Sequence, residues 1–307
     1  MKVKKLIASL LRLPANILLA SSSKLPVHVR HHARAAALAN PCLSAKFYPY
    51  APDKASYLVP PTGPPPRRPP VPPPGLMVHS YLSPDPKAYL EAGRSHVGRM
   101  LEILGGLPDE ANVLDFGCGD GMMLRHLESR EGGESWGVDI NGELTLWCQQ
   151  NLSPPFKFLT TTSFPHLPFE DNYFDLIYSF SVFTHICDLA DAWLLELRRT
   201  LKPGGRMYLT VHDNRTIEML TSGRVVCQLA EQLAAAEVPF REGFAFFTLN
   251  RTPGGGIEYS KHSLPAQVFY DAEYLRRHWG NYMEVERIVK EAYGYQSAMV
   301  LRKSPVT

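Results

Sequence analysis

The residues with the clearest chemical potential form one run, Asp115-Phe116-Gly117-Cys118-Gly119-Asp120-Gly121. Glycines at alternate positions suit a tight strand-to-helix turn whose backbone approaches a ligand closely. Eighteen residues past Gly121 stands Asp139, at the end of the next apolar run. A carboxylate there can accept both hydroxyls of an adenosine ribose. Two histidines add proton chemistry. His185 follows a fourth apolar run, and His212 closes a fifth with Asp213 beside it. A base at either place would help a hydroxyl nucleophile, typically by 10²–10⁴-fold.

Such residues need a scaffold, and the chain alternates strand and helix patterns around them. A helix is predicted from Pro84–Pro86 to Leu104, stopped by Gly105-Gly106. Strands are predicted at Ala111–Phe116, Ser135–Ile140, Phe156–Leu159, Phe174–Phe180 and Met207–Val211. Helices are predicted at about 120–129, 142–151 and 189–201, the last stopped by Lys202-Pro203-Gly204-Gly205. This alternation argues an α/β fold, a parallel sheet with helices on both faces. Beyond His212 it lapses. The patterns there predict a helix over 217–235, irregular or β structure over 242–268, a helix near 271–279 and strands at 283–289 and 295–302. Residues 213–270 read as an insertion covering the site. Core packing is open for Phe180 and Phe183, and Trp193 reads as core.

The glycine spacing is G-x-G-x-G, not the G-x-x-G ending of a nicotinamide fingerprint, which disfavours a pyrophosphate ligand. The stretch Val113-Leu114-Asp115-Phe116-Gly117-Cys118-Gly119-Asp120-Gly121-Met122-Met123-Leu124 resembles the first motif of class I S-adenosylmethionine-dependent methyltransferases. Ser135 to Ile140 resembles the second. The segment 167–177 (LPFEDNYFDLI), the SVFTH of 181–185, the turn 197–205 and the tail around Tyr293-Gly294-Tyr295-Gln296 resemble later motifs in the same order. The resemblance covers about 111–212 well, the C-terminal strands loosely, and neither 1–75 nor most of 213–270.

It implies a Rossmann-like, doubly wound, seven-stranded sheet whose last strand is antiparallel. It also implies S-adenosylmethionine as cofactor and methyl transfer to a small-molecule acceptor, with an oxygen nucleophile expected. Carried over residue by residue, the Gly117, Cys118 and Gly119 backbone would cradle the methionine portion. Asp115 would order that loop or meet the ammonium group, and Gly121 would complete the turn. Asp139 would hold the ribose, with Ile140 against adenine. Phe180 is a further cofactor-side candidate, and Tyr81 one that could close over it. Many relatives carry Asp or Asn after the third strand for the adenine amine. This chain has Thr160-Thr161-Thr162-Ser163, so Thr162 and Ser163 would substitute. His185 and His212 are the catalytic candidates.

Composition bounds the alternatives. The five cysteines are scattered without a C-x-x-C pair, so no zinc site or disulfide framework is signalled, and no metal is expected. Residues 1–75 hold eleven Lys/Arg against the single acid Asp53, and the remainder carries a net −8. The chain thus divides into a basic arm (1–59), a linker (60–75) with ten prolines in sixteen positions, and an acidic body (76–307). The proline run suits a polyproline II spacer or a partner contact. Residues 1–20 are open to a tail, a targeting segment or a basic segment on an anionic membrane surface. No apolar run reaches the ~18 residues of a spanning helix. The expected compartment is the cytoplasm.

Arg30-His31-His32 stands without a partner cluster and reads as solvated, and Pro41-Cys42 lies outside the fold. The Ser179-Phe180-Ser181-Val182 stretch lacks the Asn/Asp-Pro-Pro-Tyr/Phe motif of base-amine methylation, and the body's charge opposes a polyanion lying across it. No specific nucleic acid is expected. The rival readings are methylation of an RNA or protein delivered by the arm, and a binding protein with a vestigial cofactor fold.

Overall fold

The computed structural model describes residues 69–77, 85–127, 132–186, 189–225, 227–235, 246–249 and 267–305. The arm, the linker up to residue 68 and Tyr81 lie outside these residues.

The first helix, α1 (Pro86–Leu104), starts where Asp85 accepts hydrogen bonds from the Lys87 and Ala88 amides. Proline at the first helical position costs nothing there, since its missing amide would be unpaired anyway. Gly105 ends the helix at φ 74°. Tyr89, Gly93, Val97, Met100 and Leu104 line one buried face, at the three- and four-residue spacing of a helix stripe.

Five parallel strands follow: β1 (Val113–Phe116), β2 (Ser135–Asp139), β3 (Lys157–Thr160), β4 (Phe174–Ser179) and β5 (Leu201–Val211). Between them run α2 (Gly142–Leu152) and α3 (Ala190–Thr200). Then come α4 (Asn214–Thr221), α5 (Gln228–Ala235), β6 (Phe246–Leu249), β7 (Gln267–Tyr270), α6 (Ala272–Trp279), β8 (Glu284–Tyr293) and β9 (Gln296–Arg302). The main sheet has the order β3-β2-β1-β4-β5-β9-β8. β9 is antiparallel to both neighbours, and β6 pairs β7 separately. The expected seven-stranded sheet with an antiparallel last strand is present.

Strand order reverses between β1 and β4, and ligands of such sheets bind outside the carboxyl ends at that switch point. All four residues of β1 are buried, as are five of six in β4, as a sheet covered on both faces requires. On one face, Phe116 packs at 4.8 Å from Trp193, whose helix α3 also buries Leu194 and Leu197. Trp193 is core, as its sequence context suggests, and so is Phe183.

Two helix expectations are corrected. Residues 120–129 contain only a 3-10 turn at Leu124–His126 among those described. Gly121 sits at φ 76° and starts no α-helix. The helix expected over 217–235 is two helices, α4 and α5, separated at Ser222-Gly223, where Gly223 takes φ 73°. The apolar spacing runs on across that break because Ile217, Leu220, Leu229 and Leu233 share one small core with Phe269. The end of the proline stretch lies on the body: Val71 packs against the core, and Arg125 donates to the Pro70 carbonyl.

Candidate active site

The loop after β1 is pinned to the end of β2. The Gly117 and Cys118 amides both donate to the Val138 carbonyl, at 2.8 and 3.0 Å. The Gly119 amide donates to Asp139 Oδ2 at 2.8 Å, and the Asn141 amide donates to Oδ1 at 2.8 Å. The Ile140 amide also faces this carboxylate, and since an ionised carboxylate accepts about four hydrogen bonds, acceptor capacity remains. Gly117 adopts φ 83°, and a Cβ on it would lie 2.1 Å from Val182 Cγ2. The loop after β4 therefore touches the glycine loop, and only glycine permits that approach.

Acid charge concentrates here. Asp115, 1% exposed, accepts the Tyr178 hydroxyl at 3.0 Å. Burial pushes its carboxyl pKa well up, and the nearby Asp139 and Asp120 add to that. Asp120 accepts from the Tyr89 hydroxyl at 3.0 Å and from the Met122 amide, which bolts α1 onto the loop. Burial pushes Asp139 up as well. Asp120 adds to the rise at Asp139 too, and such a cluster of acids fits a cationic ligand, whose charge would relieve it. S-Adenosylmethionine carries a sulfonium and an ammonium, so the donor set fits it. Asp139 keeps acceptor capacity for a ribose, with the half-buried Ile140 next to it. Cys118 and Cys148 are buried thiols whose pKa values burial raises, which suits packing and not redox chemistry.

The remaining candidates separate. Thr162 is half-buried, and its hydroxyl accepts from the Phe164 amide at 3.2 Å, which leaves its proton to donate. Ser163 is exposed. Phe180 packs its ring on Tyr178, Tyr208 and Tyr293 at 5.0–5.7 Å. Asp120 and Tyr89 were missed as a pair. The signals were an acid inside the glycine run and a tyrosine on the buried face of α1, but their contact spans 31 residues.

The two histidines occupy the ends of β4 and β5. His185 is half-buried, and its amide donates to the Val182 carbonyl at 2.8 Å. His212 is 1% exposed, with its ring 4.9 Å from that of Phe269 and 5.7 Å from that of Tyr295. Neither ring nitrogen of His212 meets a partner with hydrogen-bond geometry. β7 crosses both loops: the Val268 amide donates to the Thr184 carbonyl, and the Tyr270 amide to the His212 carbonyl, each at 2.8 Å. No group of three or more His, Cys, Asp or Glu among the described residues is arranged to hold a metal.

Burial pushes the His212 pKa down to about 3, and His185 acts in the same direction. An unfolded histidine titrates near ~6.5. Between these values the unfolded chain binds more protons, so stability is present above the window and is lost as pH falls through it. Going from about pH 7 to about pH 5 is expected to cost about 2 kcal/mol through this residue. Urea unfolding at both pH values checks it. His212→Phe should lose less on acidification than wild type, and an equal loss would remove His212 as the cause.

The comparisons agree with this geometry. The family described as "Methyltransferase domain" matches residues 114–209. "Sterol 24-C-methyltransferase ERG6B" of Gibberella zeae is 34% identical over 124 residues, covering 37% of this chain and 32% of that protein. "Tocopherol O-methyltransferase, chloroplastic" of Arabidopsis thaliana is 30% identical over 172 residues, covering 51% and 48%. The chain thus spans between a third and a half of the length of these relatives. Among solved structures, the PH0226 protein from Pyrococcus horikoshii OT3 superposes with a TM-score of 0.51 at 19% identity, over 74% of this chain and 98% of that one, which shows the shared fold. The ordered motifs, the switch-point loop and the acid set thus fall within or beside residues 114–209, a methyltransferase domain with the fold of the class I S-adenosylmethionine-dependent methyltransferases, whose cofactor the acid set fits.

Proposed function

We propose that the protein transfers a methyl group to an oxygen of a small-molecule acceptor. The observation that carries this reading is the pair of histidines at the carboxyl ends of β4 and β5, across the switch point from the glycine loop. The cofactor supplies a methyl group already activated on a sulfonium.

The chain's own residues do the rest. Asp139, tied in place by the Gly119 amide, holds the ribose side, and Asp115 meets positive charge. His185 takes the acceptor's hydroxyl proton. His212 is held neutral by burial, and its conjugate acid would be too acidic to keep a transferred proton. It serves as a hydrogen-bonding group toward the acceptor. β7 and the α4–α5 pair exclude water from that side, which protects the displacement from competing hydrolysis. The net −8 of residues 76–307 supports a small acceptor over a polyanion. Of the two relatives named, one is called an O- and the other a C-methyltransferase, and the histidine pair favours oxygen.

Calorimetric titration of S-adenosylhomocysteine into the full chain tests the cofactor site. Micromolar binding, about −8 kcal/mol, is expected for wild type. Asp139→Ala should lose it, because the ribose contact and the tie to Gly119 go together. No heat from folded wild-type protein would sink the reading.

A further inference from the structure

Ser181 takes a left-handed backbone, φ 59°, directly after β4. Serine carries a Cβ, so this conformation is disfavoured unless its surroundings impose it. Two strands and the turn itself supply that constraint. The Ser181 amide donates to Thr210 Oγ1 on β5 at 2.7 Å. Gln296, the first residue of β9, donates from Nε2 to Ser181 Oγ at 2.9 Å. Thr184 Oγ1 closes the turn by donating to the Ser181 carbonyl at 2.8 Å. Thr210 and Gln296 are both buried.

The turn has two outputs. Val182, the next residue, seats against Gly117 of the cofactor loop. His185 hangs from the Val182 carbonyl through its amide. Displacing the Ser181 turn would therefore move both the wall of the cofactor loop and the candidate base. Gln296 is otherwise poorly satisfied, since its Oε1 is buried with no partner. Exchanging the amide's oxygen and nitrogen would still leave one of them unpaired. A buried, half-satisfied amide costs free energy that a leucine of similar size would not. Packing alone does not account for glutamine here.

We propose that Gln296 is a positioning residue, which acts through the Ser181 hydroxyl to hold the left-handed turn that seats Val182 on the cofactor loop. The role concerns cofactor binding and stands whether or not the acceptor atom is oxygen.

The test is S-adenosylhomocysteine calorimetry on the full chain, with thermal unfolding alongside. Gln296→Leu is expected to weaken binding about tenfold. Glycine reaches positive φ freely, so in a Ser181→Gly background the same Gln296→Leu change should cost less than about twofold. A purely structural glutamine would lower the unfolding temperature of Gln296→Leu in the wild-type background and leave affinity alone. Wild-type affinity in Gln296→Leu, or the same loss in both backgrounds, overturns the proposal. Should Gln296→Leu fail to fold, Thr210→Val removes the other clamp on Ser181 and must show the same background dependence, or the proposal falls. Wild-type binding is measured in the same series, so failure of the cofactor site itself is seen separately.

Discussion

Gly117→Ala is expected to weaken S-adenosylhomocysteine binding by about a hundredfold while the protein still folds. Two costs combine at this position. The first is backbone: φ is 83°, where an L side chain costs roughly 1–2 kcal/mol. The second is contact: the new Cβ would lie 2.1 Å from Val182 Cγ2. Valine is stiff about χ1 and cannot swing clear easily. Together these exceed the ~2.7 kcal/mol that a hundredfold change in affinity requires. The loop can only escape by moving away from Val182, and its amides move with it. Adding Val182→Ala should recover the contact part and leave the backbone part. Calorimetry on the single and double variants measures both. Wild-type affinity in Gly117→Ala would show that the loop's close approach to Val182 is not needed for binding.

His185→Gln is expected to lower kcat by 10²–10⁴-fold, the usual worth of a positioned base, and to change S-adenosylhomocysteine affinity by less than about threefold. Glutamine keeps a polar side chain on the loop after β4 but cannot take a proton. His212→Gln should act differently. Its imidazole stays neutral far below physiological pH, so it carries no proton in the reaction. Its loss should raise the acceptor KM more than it lowers kcat. Both variants are assayed by S-adenosylhomocysteine release with an acceptor that wild type turns over. A His185→Gln protein with undiminished kcat would remove the proposed base and favour an acceptor that needs no deprotonation.

The parts of this molecule that were legible in the sequence are those where a local pattern and a long-range requirement coincide. Asp115, the glycines after it and Asp139 lie within 25 residues, and each needs a residue type that composition reveals. The buried runs of β1 and β4 declared themselves because both faces of the sheet are covered. Illegible parts depend on partners far along the chain. Nothing local marks Ser181 as left-handed, because its constraints arrive from Thr210 and from Gln296, 115 residues away. Phe180 sits at a strand end, and the rings that pack on it come from β4, β5 and β8, far apart in the sequence. The helix expected after Gly121 failed because the chain there packs as a short turn under α1, fixed by the Tyr89–Asp120 bond.

The position of β9 has a consequence for synthesis on the ribosome. Its residues 296–302 fill the gap between β5 and β8, so β8 has no main-sheet neighbour until they emerge. A nascent chain that already holds β1–β5 presents the open edge of β5, a ready template for foreign strands. It also lacks Gln296, so the turn at Ser181 stays unclamped. The cofactor loop of a growing chain is thus complete in sequence well before residues 296–302 bring Gln296 to the turn beside it.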